Sequence, residues 1–189
     1  GRGVAARLIE RWQISTSWTI ASGFPIDLAS GAATFNQFGN NTPTALAAFP
    51  KSAGSVTKVG DGVIYFDGYR QVSDPSVTGL AQSIQARSTL RSITDSSGRI
   101  LLVNPAPGLL GNVGSRLLEG PGTFQLDLNL LKRVQVREHW NLELRADAIS
   151  VTNSPQFLGP DAGINSNTFG RITAAGGNRI VVVGLRFTF

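Results

Sequence analysis

Four stretches of the chain alternate apolar and polar residues with a period of two, the pattern of a strand whose faces meet different surroundings. In the first, Trp12, Ile14, Thr16, Trp18 and Ile20 alternate with Gln13, Ser15, Ser17 and Thr19, and the even series continues through Phe24, Ile26 and Leu28. It predicts a strand over about 8–28. The second, about 123–136, sets Phe124, Leu126, Leu128 and Leu130 against Gln125, Asp127 and Asn129, with Lys132 interrupting the apolar face before Val134 and Val136. In the third, about 140–153, Trp140, Leu142, Leu144, Ala146 and Ala148 oppose Asn141, Glu143, Arg145 and Asp147. Ile149 and Val151 then change parity, which marks a bulge or the end of that strand. The fourth, about 179–189, carries Val181, Val183, Leu185, Phe187 and Phe189 on one face.

The connections differ in length. Only Arg137, Glu138 and His139 separate the second strand from the third, so the two form an antiparallel hairpin with a tight turn. Residues 154–178 form a longer loop rich in Asn, Gly and Ser, and residues 29–120 a longer one still, with turn signals at 39–43, 60–62 and 95–98. Short apolar runs at Val63–Phe66 and Ile100–Val103 add local strands within it, because so long a connection without structure is unusual. No internal repeat and no linker marks a second domain.

The fold class is therefore all-β with antiparallel strands, and two architectures fit. A strand of about 9 to 11 residues crosses a bilayer when tilted, and backbone groups in lipid must all be paired within a closed barrel. Aromatics at the strand ends, Trp12, Trp140, Phe187 and Phe189, stand where an interfacial girdle would. The rival is a soluble β-sandwich with one wet face per sheet, a binding module. In the barrel reading the 137–139 turn is periplasmic and both long loops are outside. Four strands cannot close a barrel of at least ~8, so the missing strands are expected upstream of Gly1.

Composition agrees with a piece of a larger chain: 189 residues, no methionine, and 15% charged residues, against roughly 25% in an ordinary soluble domain. No apolar run is long enough for a transmembrane helix. The absence of cysteine excludes thiolate chemistry. The net charge of +5 comes from singly scattered basic residues, so no nucleic-acid partner is implied.

A series of short motifs carries a resemblance. These are Ser22-Gly-Phe-Pro25, Asn104-Pro-Ala-Pro-Gly108, Gly111-Asn112, Glu119-Gly-Pro-Gly122 leading into Phe124-Gln-Leu-Asp127 and Lys132, Leu142-Glu-Leu-Arg-Ala-Asp147, Asn153-Ser-Pro-Gln-Phe157 and Phe169-Gly-Arg-Ile172. In order and spacing they resemble the closing portion of TonB-dependent outer-membrane receptors, especially the Oar-like group. Departures fall at Ile149, Ser150 and Thr152, where that group usually has Phe, Asn and an apolar residue.

The resemblance implies a Gram-negative outer-membrane receptor that takes up a bulky solute such as an oligosaccharide, siderophore or peptide. It further implies an upstream plug and a segment that engages the TonB complex. Outer-membrane lipid and the barrel assembly machinery are the other implied partners. Val181, Val183, Leu185, Phe187 and Phe189 resemble the terminal assembly signal. A surface or adhesion barrel that transports nothing remains the alternative.

Register from the three-residue turn sets Val136 opposite Trp140, Arg133 opposite Glu143 and Asn129 opposite Asp147. Asp127, Asn129, Arg133, Glu143, Arg145 and Asp147 are then expected to form a polar ladder facing the lumen, with Arg145 within diagonal reach of Asp127, Asn129 and Asp147. Such a ladder serves either charge pairing or contact with plug or solute. In the long loop, Phe35, Phe38, Tyr65, Phe66 and Tyr69 are candidates for ligand contact.

No catalytic, cofactor or metal site is expected. His139 is the lone histidine and sits in a turn. Asp161, Asn165 and Asn167 lack the frame and closing glutamate of a calcium loop. Gly60-Asp-Gly62 lacks the rest of a phosphate loop.

Overall fold

The structure is a computed structural model that describes residues 9–31, 41–51 and 53–189. In chain order the strands are β1 (Trp12–Ala21), β2 (Pro25–Ile26), β3 (Thr44–Ala45), β4 (Thr57–Val59), β5 (Gly62–Ile64), β6 (Arg70–Ser73), β7 (Arg91–Thr94), β8 (Ile100–Val103), β9 (Leu118–Glu119), β10 (Thr123–Gln135), β11 (Asn141–Ile149), β12 (Gln156–Phe157), β13 (Arg171–Ile172), β14 (Ala175–Gly176) and β15 (Ile180–Thr188). Two single-turn helices, Pro75–Thr78 and Gln82–Gln85, lie between β6 and β7.

The chain forms two compact units. The first is one antiparallel sheet in the order β1-β10-β11-β15. Trp12 faces Lys132 and Ala21 faces Thr123, Gln135 faces Asn141, and Ile149 faces Ile180. Val136 N donates to the Trp140 carbonyl at 2.8 Å, which closes the hairpin as the three-residue turn requires. Ala21, Thr123, Ile149 and Ile180 thus lie at one end of the sheet, and both long connections leave from that end.

The strand predicted over 8–28 runs only from Trp12 to Ala21. Beyond it the even-numbered series continues, but in different surroundings: Ile26 and Leu28 are buried in a protein core. The break falls at Gly23. A Cβ there would stand 1.7 Å from the Gly120 carbonyl oxygen, so only glycine lets the two backbones approach. Gly120 N then donates to the Phe24 carbonyl at 2.8 Å, and Pro25 and Ile26 pair with Glu119 and Leu118.

The third strand ends at Ile149, short of 153, because Ser150 turns the chain with φ 52°.

The second unit comprises residues 22–122 and 157–174. It corrects the expectation of two separate loops and no second domain. The two connections share one core, which includes Leu28, Phe49, Phe66, Ile93, Leu102 and Ile164. Around it stand a sheet β3-β8-β7-β6 and a sheet β13-β5-β4. The apolar runs near 63–66 and 100–103 supply β5 and β8, as expected.

A buried polar clasp holds distant segments of this unit together. Asp74 is 1% exposed and accepts from Ser76 N (2.9 Å), Ser76 Oγ (2.6 Å), Ser92 Oγ (3.0 Å), Asn104 N (2.9 Å) and Asn104 Nδ2 (2.9 Å). Asn165 joins by donating to Asn104 Oδ1 at 2.7 Å and to the Ser30 carbonyl, while accepting from Arg91 N at 2.6 Å. Residues 30, 74, 92, 104 and 165 are thereby tied into one network. Burial pushes the Asp74 carboxyl up, but the bonds from Asn104 and Ser76 outweigh it and hold it below the usual carboxylate range.

A carboxyl lowered by folding stabilises the fold above its unfolded value, and that contribution is lost as pH falls through the lower folded one. Asp74→Ala, which leaves buried donors unpaired, is expected to lower the opening free energy of β7 and β8 by about 3 kcal/mol. Hydrogen exchange on the whole protein in micelles measures this. Acidification to below about pH 4 should weaken protection more in the parent than in the variant; equal protection in both at neutral pH would overturn the assignment.

Candidate functional site

Successive residues of a strand point to opposite faces, so the register sorts the first unit's sheet into an apolar and a polar face. On the polar face the rows run Ser15, Asn129, Asp147 and Val182, then Gln13, Leu131, Arg145 and Gly184, then Arg133, Glu143 and Arg186. Sequence reasoning named the members from β10 and β11 except Leu131. Those from β1 and β15 were missed, because only the pairing of these strands brings them into the rows.

The ladder is bonded in two parts. Arg133 Nε donates to Glu143 Oε2 at 2.8 Å across the hairpin, as the turn register predicts. Asn129 Nδ2 donates to Asp147 Oδ1, and Arg145 Nε lies 2.7 Å from Asp147 Oδ2. Arg145 therefore pairs along its own strand with Asp147, and the expected diagonal contact with Asp127 is not made.

Asp127 has another task. It accepts from Gln125 Nε2 at 2.9 Å and from Ser150 N at 2.8 Å. Ser150 occupies the left-handed region, and its Oγ donates to the Gly177 carbonyl at 2.9 Å. A carboxylate on one strand thus caps the turn that ends the next. The sequence signal was the parity change at Ile149. The departure from the resembled pattern at Ser150 falls on this turn, where a serine hydroxyl takes the place of that group's usual asparagine amide.

The opposite face is apolar and open. Val181, Val183, Leu185, Phe187 and Phe189 are 49–88% exposed, all on this face or at its end. Trp140 packs edge-on against Phe187 (5.8 Å), and Phe187 lies 6.1 Å from Phe189. Toward the other end Trp18 packs edge-on against Phe124 at 6.1 Å. Lys132, the interruption in this face, is buried: its Nζ lies 5.0 Å from the Trp12 ring centre and donates to the Glu10 carbonyl. The ammonium is held between the indole ring and a backbone carbonyl, and its stem adds to the apolar face.

The loop aromatics fall elsewhere. Tyr65 and Phe66 are 4% and 2% exposed and belong to the second unit's core, which corrects their candidacy for ligand contact. Tyr65 OH donates to the Glu119 carbonyl at 2.5 Å, and Phe66 stacks on Phe169 at 5.3 Å. Tyr69 is half-buried, 4.8 Å from Phe49. Phe35 and Phe38 lie outside the described residues. Asp161 spends its carboxylate within its own loop, accepting from Gly163 N (3.0 Å), Ser166 Oγ and Thr168 Oγ1 (2.6 Å). Among the described residues no cluster of His, Asp and Glu has a metal-binding arrangement, and no helix is long and apolar enough to cross a membrane.

One face for lipid and one for water, on strands of bilayer-crossing length, is the arrangement of a membrane barrel wall. The family model of the outer membrane beta barrel domain matches residues 1–181. The chain belongs to this family. Comparisons with curated proteins and with solved structures gave no match. As an outer membrane beta barrel domain, the protein resides in the bacterial outer membrane, and its apolar face meets the lipid.

The Arg133 and Glu143 side chains are 63% and 31% exposed. Water screening keeps such pairs weak, so a double-mutant cycle of Arg133→Gln and Glu143→Gln on unfolding of the solubilised barrel should give a coupling of about 0.5 kcal/mol. A coupling several times larger would mean that this face is far drier than its exposure indicates.

Proposed function

We propose that this outer membrane beta barrel domain is the C-terminal part of a TonB-dependent receptor, related to the Oar-like group, that takes up a bulky solute across the outer membrane. The observation that carries the reading is the ordered series of short motifs resembling that group. Their pairing in the fold supports it: Ser22-Gly-Phe-Pro25 and Glu119-Gly-Pro-Gly122 meet at the Gly23–Gly120 crossing and continue into the β2–β9 pair.

Bacterial barrels join strands by short periplasmic turns and long outer loops. The 137–139 turn is accordingly periplasmic, and the residue 22–122 and 157–174 unit is extracellular and the place of solute contact. Uptake is driven by the TonB complex through a segment upstream of the described strands, and the domain performs no chemistry on its cargo. The apolar strand ending at Phe189 is the edge offered to the barrel assembly machinery, which recognises it by strand pairing.

Binding of the purified periplasmic part of TonB to the full-length receptor in micelles tests the transport reading directly. Saturable binding is expected; its absence would favour a surface or adhesion barrel. For assembly, deletion of Phe189 from the full-length protein should reduce the amount of folded, heat-modifiable barrel in the outer membrane several-fold, read by gel mobility before and after heating. Unchanged amounts would refute the assembly role of the terminal aromatic.

A further inference from the structure

One cross-strand row near the 137–139 turn carries a charge imbalance. Arg133 N donates to the Arg11 carbonyl at 3.3 Å, which sets Arg11 beside Arg133; Arg133 stands opposite Glu143, and Glu143 opposite Arg186. Three arginines and one glutamate therefore follow one another across β15, β11, β10 and the residue that precedes β1, a backbone span of about 14 Å at ~4.8 Å per step. The row's one carboxylate is engaged by Arg133 Nε at 2.8 Å. Like charges on directly opposed strands disfavour one another, and Arg11 is moreover held at φ 59°, a conformation that a residue with a side chain adopts only under constraint.

These four side chains line a single cavity of about 510 Å³, together with Gln13 and Asn141. Its volume is that of a small-molecule site. Its lining is cationic at the arginines and apolar at Trp12, Leu131 and Leu142.

We infer that this cavity binds an oxyanion group, phosphoryl or carboxylate, of a small solute, with Arg11 and Arg186 as the principal partners. Guanidinium groups present planar forks that match both oxyanions. Glu143 keeps Arg133 oriented and moderates the local charge, so that a group bearing about two negative charges balances the row. Arg133, Glu143 and Arg186 stand on the polar face, opposite the one that meets lipid, so a dissolved anion rather than a lipid headgroup is the occupant. The inference rests on the sheet's register and not on TonB-driven uptake, and its test reads binding alone.

The test is calorimetric titration of the full-length protein in micelles at low ionic strength, with inorganic pyrophosphate and citrate as probes. Saturable binding of either supports the site, and the tighter probe tells phosphoryl from carboxylate. Arg186→Gln is expected to weaken it roughly tenfold, and Arg186→Lys, which keeps the charge but not the fork, by less. Lys58→Gln, the same charge change on an exposed strand of the second unit, should leave it unaltered. If Arg186→Gln fails to give a heat-modifiable barrel, Arg11→Gln takes its place. The absence of saturable binding of both probes, or equal weakening by the arginine variant and Lys58→Gln, would overturn the inference.

Discussion

In a bilayer the backbone has no water to bond to, so a strand can cross only if its amides and carbonyls are paired with neighbouring strands. That constraint explains why the first unit is organised by register before packing. Trp12–Ala21 is paired residue for residue with Thr123–Lys132, and Asn141–Ile149 with Ile180–Thr188. Every residue of β1 and β15 is nonetheless exposed. In water, so much open apolar surface on long strands would be an aggregation hazard. In the outer membrane it is the face that lipid covers, and the polar face is free to carry arginines, glutamates and aspartates in rows.

The second unit obeys the opposite rule. Its strands are short, and its order comes from a water-excluding core about Phe66, Ile93 and Leu102 and from buried polar groups that find partners within it. Asp74 is the clearest instance, a carboxylate taken out of water and repaid by five donors from three segments of chain. The Gly23–Gly120 crossing marks the change of regime along the chain. Up to Ala21 the even positions face lipid; past it, at Ile26 and Leu28, positions of the same parity pack into protein.

Much of the first unit was legible from sequence because alternation and a three-residue turn fix register without tertiary information. Arg133 opposite Glu143 follows from counting back from the turn. Asp127 did not yield to the same counting: its bond to Ser150 N depends on a left-handed turn that alternation does not encode. The shared core of the second unit was invisible for a related reason. Ile164 and Ile93 are far apart in sequence and sit in short strands or loops, where no periodicity announces a buried face. Tyr65 and Phe66, read as surface candidates from their loop position, are core residues on the same account.

The ends of the long connections have a consequence for how such a protein changes over time. Ala21 faces Thr123, and Ile149 faces Ile180, so each connection departs from and returns to bonded neighbours about 5 Å apart. The strands do not measure the length of what is strung between them. Insertions, deletions or wholesale replacement beyond those points leave the register untouched. Exposed segments can therefore diversify at the pace of surface sequence, while the part that crosses the membrane stays bound to a pairing scheme in which a shift of one residue would turn its faces inside out.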